Sequence, residues 1–111
     1  MSARHLFRRP PGVTAHEAMT MIDAGALVID VRAPRDWRRQ HIPGSLNIPL
    51  AQLEAHAPDL SEDGRLITFC TGGLLSSGAA GLLREWGFDA VNLSRGLIAW
   101  RSAGGALEGE P

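Results

Sequence analysis

Apolar and polar positions alternate along this chain in blocks that read as strands and helices in turn. Ala26-Leu27-Val28-Ile29 is a continuous apolar run ending in Asp30-Val31-Arg32, and Arg65-Leu66-Ile67-Thr68-Phe69 is a second. Runs of this kind, apolar without a polar face, fit strands buried on both sides in a parallel sheet. Val91-Asn92-Leu93 predicts a third, shorter strand. Between the runs the spacing turns helical. Thr14 and Glu17 have capping-box spacing, Ala15, Ala18, Met19 and Ile22 share one face, and Gly25 is a stop. Pro34 and Asp36 suit the first turn of a short helix through Trp37 that ends before Pro43-Gly44.

Leu46 to Leu50 predicts a short extended segment, and Ala51 to His56 is weakly helical. Ser76 or Ser77 predicts the cap of a helix carrying Ala79, Leu82, Leu83 and Trp86 on one face, with Gly87 after it. Leu97 to Arg101 predicts a last turn or two of helix. Residues 1–12 read as a basic N-terminal arm with a short strand at Leu6-Phe7, residues 13–103 as one domain, and residues 104–111 as a C-terminal tail. The expected class is α/β: a small, mostly parallel sheet with helices on both faces. Ligands of such sheets bind beyond the carboxyl ends of the strands, where Asp30-Val31-Arg32 and Cys70 both fall.

At 111 residues the chain holds one core. Its 44% hydrophobic and 21% charged residues are ordinary for a globular protein, and a net charge of −1 gives no bulk field for nucleic acid or an anionic membrane. All 11 basic residues are arginine, which excludes lysine chemistry. A single cysteine excludes an internal disulfide and a multi-cysteine zinc site, and the histidines lack metal-ligand spacing. A free thiol without an export signal or a membrane-length apolar stretch leads to the expectation of a cytoplasmic protein.

That cysteine is the candidate for chemistry. Cys70 follows an apolar strand and precedes Thr71-Gly72-Gly73-Leu74-Leu75-Ser76, so the order is strand, thiol, glycine loop, helix. A thiol there faces backbone N–H groups at the positive end of a helix dipole, an arrangement that favours a sulfur anion. Lone cysteines at strand ends are more often core, but the glycines that follow favour a reactive one.

Asp30-Val31-Arg32, Asp36-Trp37 and His41-Ile42-Pro43-Gly44-Ser45 with Asn47-Ile48-Pro49 closely resemble the first signature of rhodanese domains. Cys70 with Gly73 and the alanine-rich helix resembles their active-site region, and Arg95-Gly96 through Ala99-Trp100 their closing segment. The likeness runs from about Val13 to Arg101. It implies a sulfurtransferase in which Cys70 takes a sulfane sulfur as a persulfide and passes it to a thiol or cyanide. The backbone of Thr71, Gly72, Gly73, Leu74, Leu75 and Ser76 would cradle the anion, with Asp30, Arg32, Asp36 and His41 in support and no metal or organic cofactor. Asp30 is expected to hold its loop through Arg32 or backbone donors, and His41 to fix a turn.

The chain departs from the family pattern twice. Leu75, sixth in the loop, stands where many members carry arginine, so the loop has no charge. Thiosulfate, a dianion, would gain from a cation there, which Arg32 or Arg35 could supply. A neutral loop is more compatible with 3-mercaptopyruvate, a protein persulfide or a small persulfide as donor than with thiosulfate. Arg95 stands at a usual glycine and is expected to alter loop packing. The loop is also too short, and lacks the arginine, for a cysteine phosphatase. The rival expectation is a non-catalytic binding or sulfur-relay module that receives sulfur only from a docked protein, with Leu74-Leu75 as its surface.

Overall fold

A computed structural model describes residues 11–110. Five parallel strands form one sheet in the order β1-β5-β4-β2-β3, where β1 is Gly12–Val13, β2 Leu27–Asp30, β3 Leu46–Asn47, β4 Arg65–Phe69 and β5 Asp89–Leu93. The helices are α1 (Ala15–Asp23), α2 (Pro34–Arg39), α3 (Leu53–His56), α4 (Leu74–Glu85) and α5 (Gly96–Ser102). The two apolar runs become the inner strands β2 and β4, covered on both faces as their composition requires.

Side chains alternate between two apolar clusters, one on each face of the sheet, where the chain's length led to the expectation of a single core. Ile29, Leu66 and Ala90 pack with Leu53, Ala79, Ala80, Leu83 and Phe88 on one face. Val28, Ile67 and Val91 pack with Ala15, Ala18, Leu97 and Trp100 on the other. Each large apolar side chain so buried contributes about 1.5–3 kcal/mol.

At the start of α1 the Thr14 hydroxyl accepts from Glu17 N–H at 3.1 Å and the Glu17 carboxylate accepts from Thr14 N–H at 2.9 Å, the reciprocal cap its sequence predicts. Other expectations need correction. Helix α4 begins at Leu74, two residues before the first serine proposed as its cap, because Gly73 serves as N-cap with φ of 90°. Its buried face is Ser76, Ala79, Ala80 and Leu83, and Leu82 lies on the exposed side.

Gly12–Val13 pairs with the end of β5, a strand the chain's Pro10-Pro11-Gly12 concealed. The strand expected at Leu6-Phe7 lies outside the described residues. The C-terminal segment returns to the domain: Trp100 Nε1–H donates to Ala106 O at 2.8 Å, His41 and Glu108 exchange backbone hydrogen bonds, and Glu110 N–H donates to Arg38 O at 2.9 Å. Among the described residues no helix is long and apolar enough to cross a membrane.

Candidate active site

Cys70 follows β4 at its carboxyl end, and its sulfur accepts from the N–H of Gly73 at 3.2 Å and of Ser76 at 3.3 Å. The Ser76 hydroxyl is a third partner, 3.2 Å from Sγ. These contacts exist because the loop turns sharply through Gly73. A Cβ there would come within 2.6 Å of Arg95 N, so only glycine fits. Gly96 presses its α-carbon against the Cys70 carbonyl in the same way, and the N–H groups of Leu97 and Ile98 at the start of α5 bond the carbonyls of Cys70 and Thr71. The carbonyls of Cys70 and Thr71 thus point to α5, and the amides of Gly73 and Ser76 to the sulfur.

Ser76 belongs to the helix interior, not to its cap, and is fully buried. The amides of Thr71, Gly72, Leu74 and Leu75 donate to no other described residue. All four residues line, with Cys70, an open cavity of about 280 Å³. A sulfur anion extending into that cavity would meet donors that are otherwise unused. Cys70 itself is only 3% exposed and touches the apolar core below. Its sulfur is therefore a recessed floor and not a sealed interior.

Two buried side chains that the sequence did not single out hold this loop from beneath. Thr68 Oγ1–H donates to Ser76 O at 2.7 Å, and Asn92 Nδ2–H donates to Gly73 O at 3.1 Å. Gly73 and Ser76 are also the two residues whose amides reach the sulfur. Thr68 and Asn92 lie 3.2 Å apart, Oγ1 to Oδ1, as neighbours in the β4–β5 register. A polar residue within the buried stretch of each strand was the available signal.

The remaining wall comes from the segment between β2 and α2 and from Asp36 of α2. Asp30 is fully buried and accepts from Arg32 N–H and Nε–H at 3.0 Å each, and from Nη2–H at 2.8 Å. Nη2 also donates to Gln40 O, and Asn47 clamps the carbonyls of Asp30 and Arg32 at 3.0 Å each. Asp30 and Arg32 thus close a loop, and the Arg32 charge is committed to Asp30. Arg32 and Asp36 both line the Cys70 cavity; Arg35 and Arg95 do not.

His41 lies away from that cavity. Its ring stacks on Trp37 with centroids 3.9 Å apart, its Nδ1 meets Trp37 O at 2.6 Å and its Nε2 is 3.3 Å from Glu108. Arg95 adopts φ of 60°, the one positive value at a non-glycine among the described residues. That conformation explains why glycine would suit the position.

Comparison with known proteins agrees with this architecture. The family model for the Rhodanese-like domain matches residues 14–103.

The chain belongs to the rhodanese-like family.

It is 31% identical over 93 residues to the thiosulfate sulfurtransferase GlpE of Pseudoalteromonas translucida, covering 82% of this chain and 89% of that protein. It is also 31% identical over 95 residues to the HTH-type transcriptional regulator Rv0324 of Mycobacterium tuberculosis, covering 83% of this chain and 42% of the regulator. The chain spans less than half the length of the first curated relatives it matches. A rhodanese-related protein of Thermoplasma volcanium superposes with a TM-score of 0.84 at 27% identity, over 90% of this chain and 99% of the other.

Proposed function

We propose that the protein is a sulfurtransferase in which Cys70 carries a sulfane sulfur as a persulfide. One observation carries this reading: Sγ accepts from the amides of Gly73 and Ser76 while four more amides around the same cavity have no partner among the described residues. A persulfide adds one anionic atom to the cysteine, and those amides are donors for it.

With thiosulfate, the Cys70 thiolate attacks the outer sulfur. A new S–S bond forms to Cys70 as the donor's S–S bond breaks, and sulfite leaves with the electron pair. Cyanide or a thiolate then takes the terminal sulfur, and the Cys70 thiolate returns. Charge and sulfur balance in both steps without any other oxidant. The cradle serves 3-mercaptopyruvate or another persulfide in the same way, because it holds only the transferred atom.

A relay module that receives sulfur from a docked protein is the second reading. It is favoured by Leu74 and Leu75, which are 87% and 54% exposed at the rim of the cavity. The test is thiocyanate formation from cyanide with thiosulfate or 3-mercaptopyruvate as donor. Turnover that disappears in Cys70→Ser is expected. Turnover that survives this substitution overturns the assignment of Cys70, and its absence from the native protein with both donors favours the relay.

A further inference from the structure

The charge around the Cys70 cavity is unbalanced. Among the described residues, its two ionisable wall residues besides the cysteine are Arg32 and Asp36. Arg32 is already neutralised, with Nε and Nη2 on the buried Asp30 carboxylate. Asp36 is exposed, and its carboxylate has no hydrogen-bond or ion-pair partner among the described residues. The cavity therefore presents one uncompensated negative charge beside a floor of amide donors. Leu74 and Leu75 supply an apolar rim.

We infer that Asp36 makes this site selective for donor charge, favouring small organic persulfides whose carbon arm ends in a cation, such as an ammonium group. This rests on the persulfide reading of Cys70. The amides hold the sulfane sulfur, Leu74 and Leu75 contact the carbon arm, and Asp36 pairs with the ammonium. A donor with anionic groups at that end meets the carboxylate instead, and among the described residues the wall offers it no unpaired cation. A cavity of about 280 Å³ is small enough for one ligand to touch both Cys70 and Asp36. The sulfur step is R–S–S⁻ plus Cys70–S⁻ giving R–S⁻ plus Cys70–S–S⁻, so the donor's S–S bond breaks as the new one forms.

Two persulfides of nearly equal size test the inference: 2-aminoethyl persulfide and 2-carboxyethyl persulfide. The rate of sulfur loading onto Cys70, followed by intact mass, is compared as a cation-to-anion ratio. The native protein is expected to favour the cation about tenfold at low salt, less as salt screens this solvent-facing charge. Asp36→Asn is expected to bring the ratio near one and Asp36→Lys to invert it. Glu62→Gln, at the opposite end of β4, is expected to leave it unchanged.

A native ratio near one overturns the inference and leaves the chemistry of Cys70 standing. A preference that Asp36→Asn does not alter does the same, and assigns Asp36 to the first turn of α2 alone. Failure of both persulfides to load the native protein overturns the inference together with the reading of the protein as a sulfurtransferase for small donors.

Discussion

Asp30 and Cys70 end neighbouring strands, one residue apart in register, and both are buried acceptors. Their surroundings differ in completeness. Asp30 receives three N–H groups from Arg32, whose Nη2 also donates to a backbone carbonyl, and Asn47 fastens the chain on either side. Neither Asp30 oxygen is left without a donor. Cys70 receives two amides and a hydroxyl, beside an open cavity and four unused donors. A closed shell around an acceptor fixes the backbone, whereas a shell with spare donors leaves room for another atom. The same sheet end therefore carries a structural anion and a candidate reactive one, and the count of satisfied partners separates them.

The largest effect expected on stability comes from opening the closed shell. Asp30→Ala leaves the Arg32 guanidinium buried and unpaired, which costs about 3–5 kcal/mol. Cys70→Ala is expected to cost about 1 kcal/mol, the ordinary size for a single substitution. Urea unfolding of the two variants gives the comparison directly. Equal losses would break the distinction drawn between the two shells.

Thr68→Val removes the donor that holds the Ser76 carbonyl while keeping the side-chain shape. A loss of about 1–3 kcal/mol is expected, the range for a buried polar group left without its partner. Sulfur loading should slow with it, and Thr68→Ser should recover both. A fall in stability with unchanged loading would make Thr68 a packing residue only.

Glu108→Ala tests the returning C-terminal segment, where a half-exposed carboxylate meets His41. The expected loss is about 0.2–1 kcal/mol, as for other solvent-facing pairs. Donor turnover should not change, because neither residue lines the Cys70 cavity.

The smallest effect lies at α1. The Thr14 backbone N–H, and then its side chain, holds the Glu17 carboxyl below the usual glutamate range. A lowered value in the folded protein means that its contribution is complete above the unfolded carboxyl's range. It is lost as pH falls through the folded value. The stability difference between the native protein and Glu17→Gln should therefore shrink below about pH 4.

The layers of this fold were legible because β2 and β4 are covered on both faces, which leaves continuous apolar runs in the chain. The cap at Thr14 was legible for a different reason: both partners lie within one turn. Cap grammar failed at α4, where left-handed Gly73 replaces a side-chain cap and frees Ser76 to turn its hydroxyl to the sulfur. Thr68 and Asn92 were not legible as loop supports, since they are 24 residues apart in sequence and meet only when β4 pairs with β5. The same holds for the C-terminal segment, whose partners His41 and Arg38 lie far up the chain. Charge around the cavity was half legible. The neutral loop was plain in the residues, but the commitment of Arg32 to Asp30 and the place of Asp36 on the wall needed the fold.

Intact mass before and after exposure to a sulfane-sulfur donor decides whether Cys70 carries sulfur. The native protein should gain the mass of one sulfur atom, lose it again to cyanide, and show neither change as Cys70→Ala. A native protein whose mass stays constant with thiosulfate and with both organic persulfides, or a gain that persists in Cys70→Ala, would contradict that role.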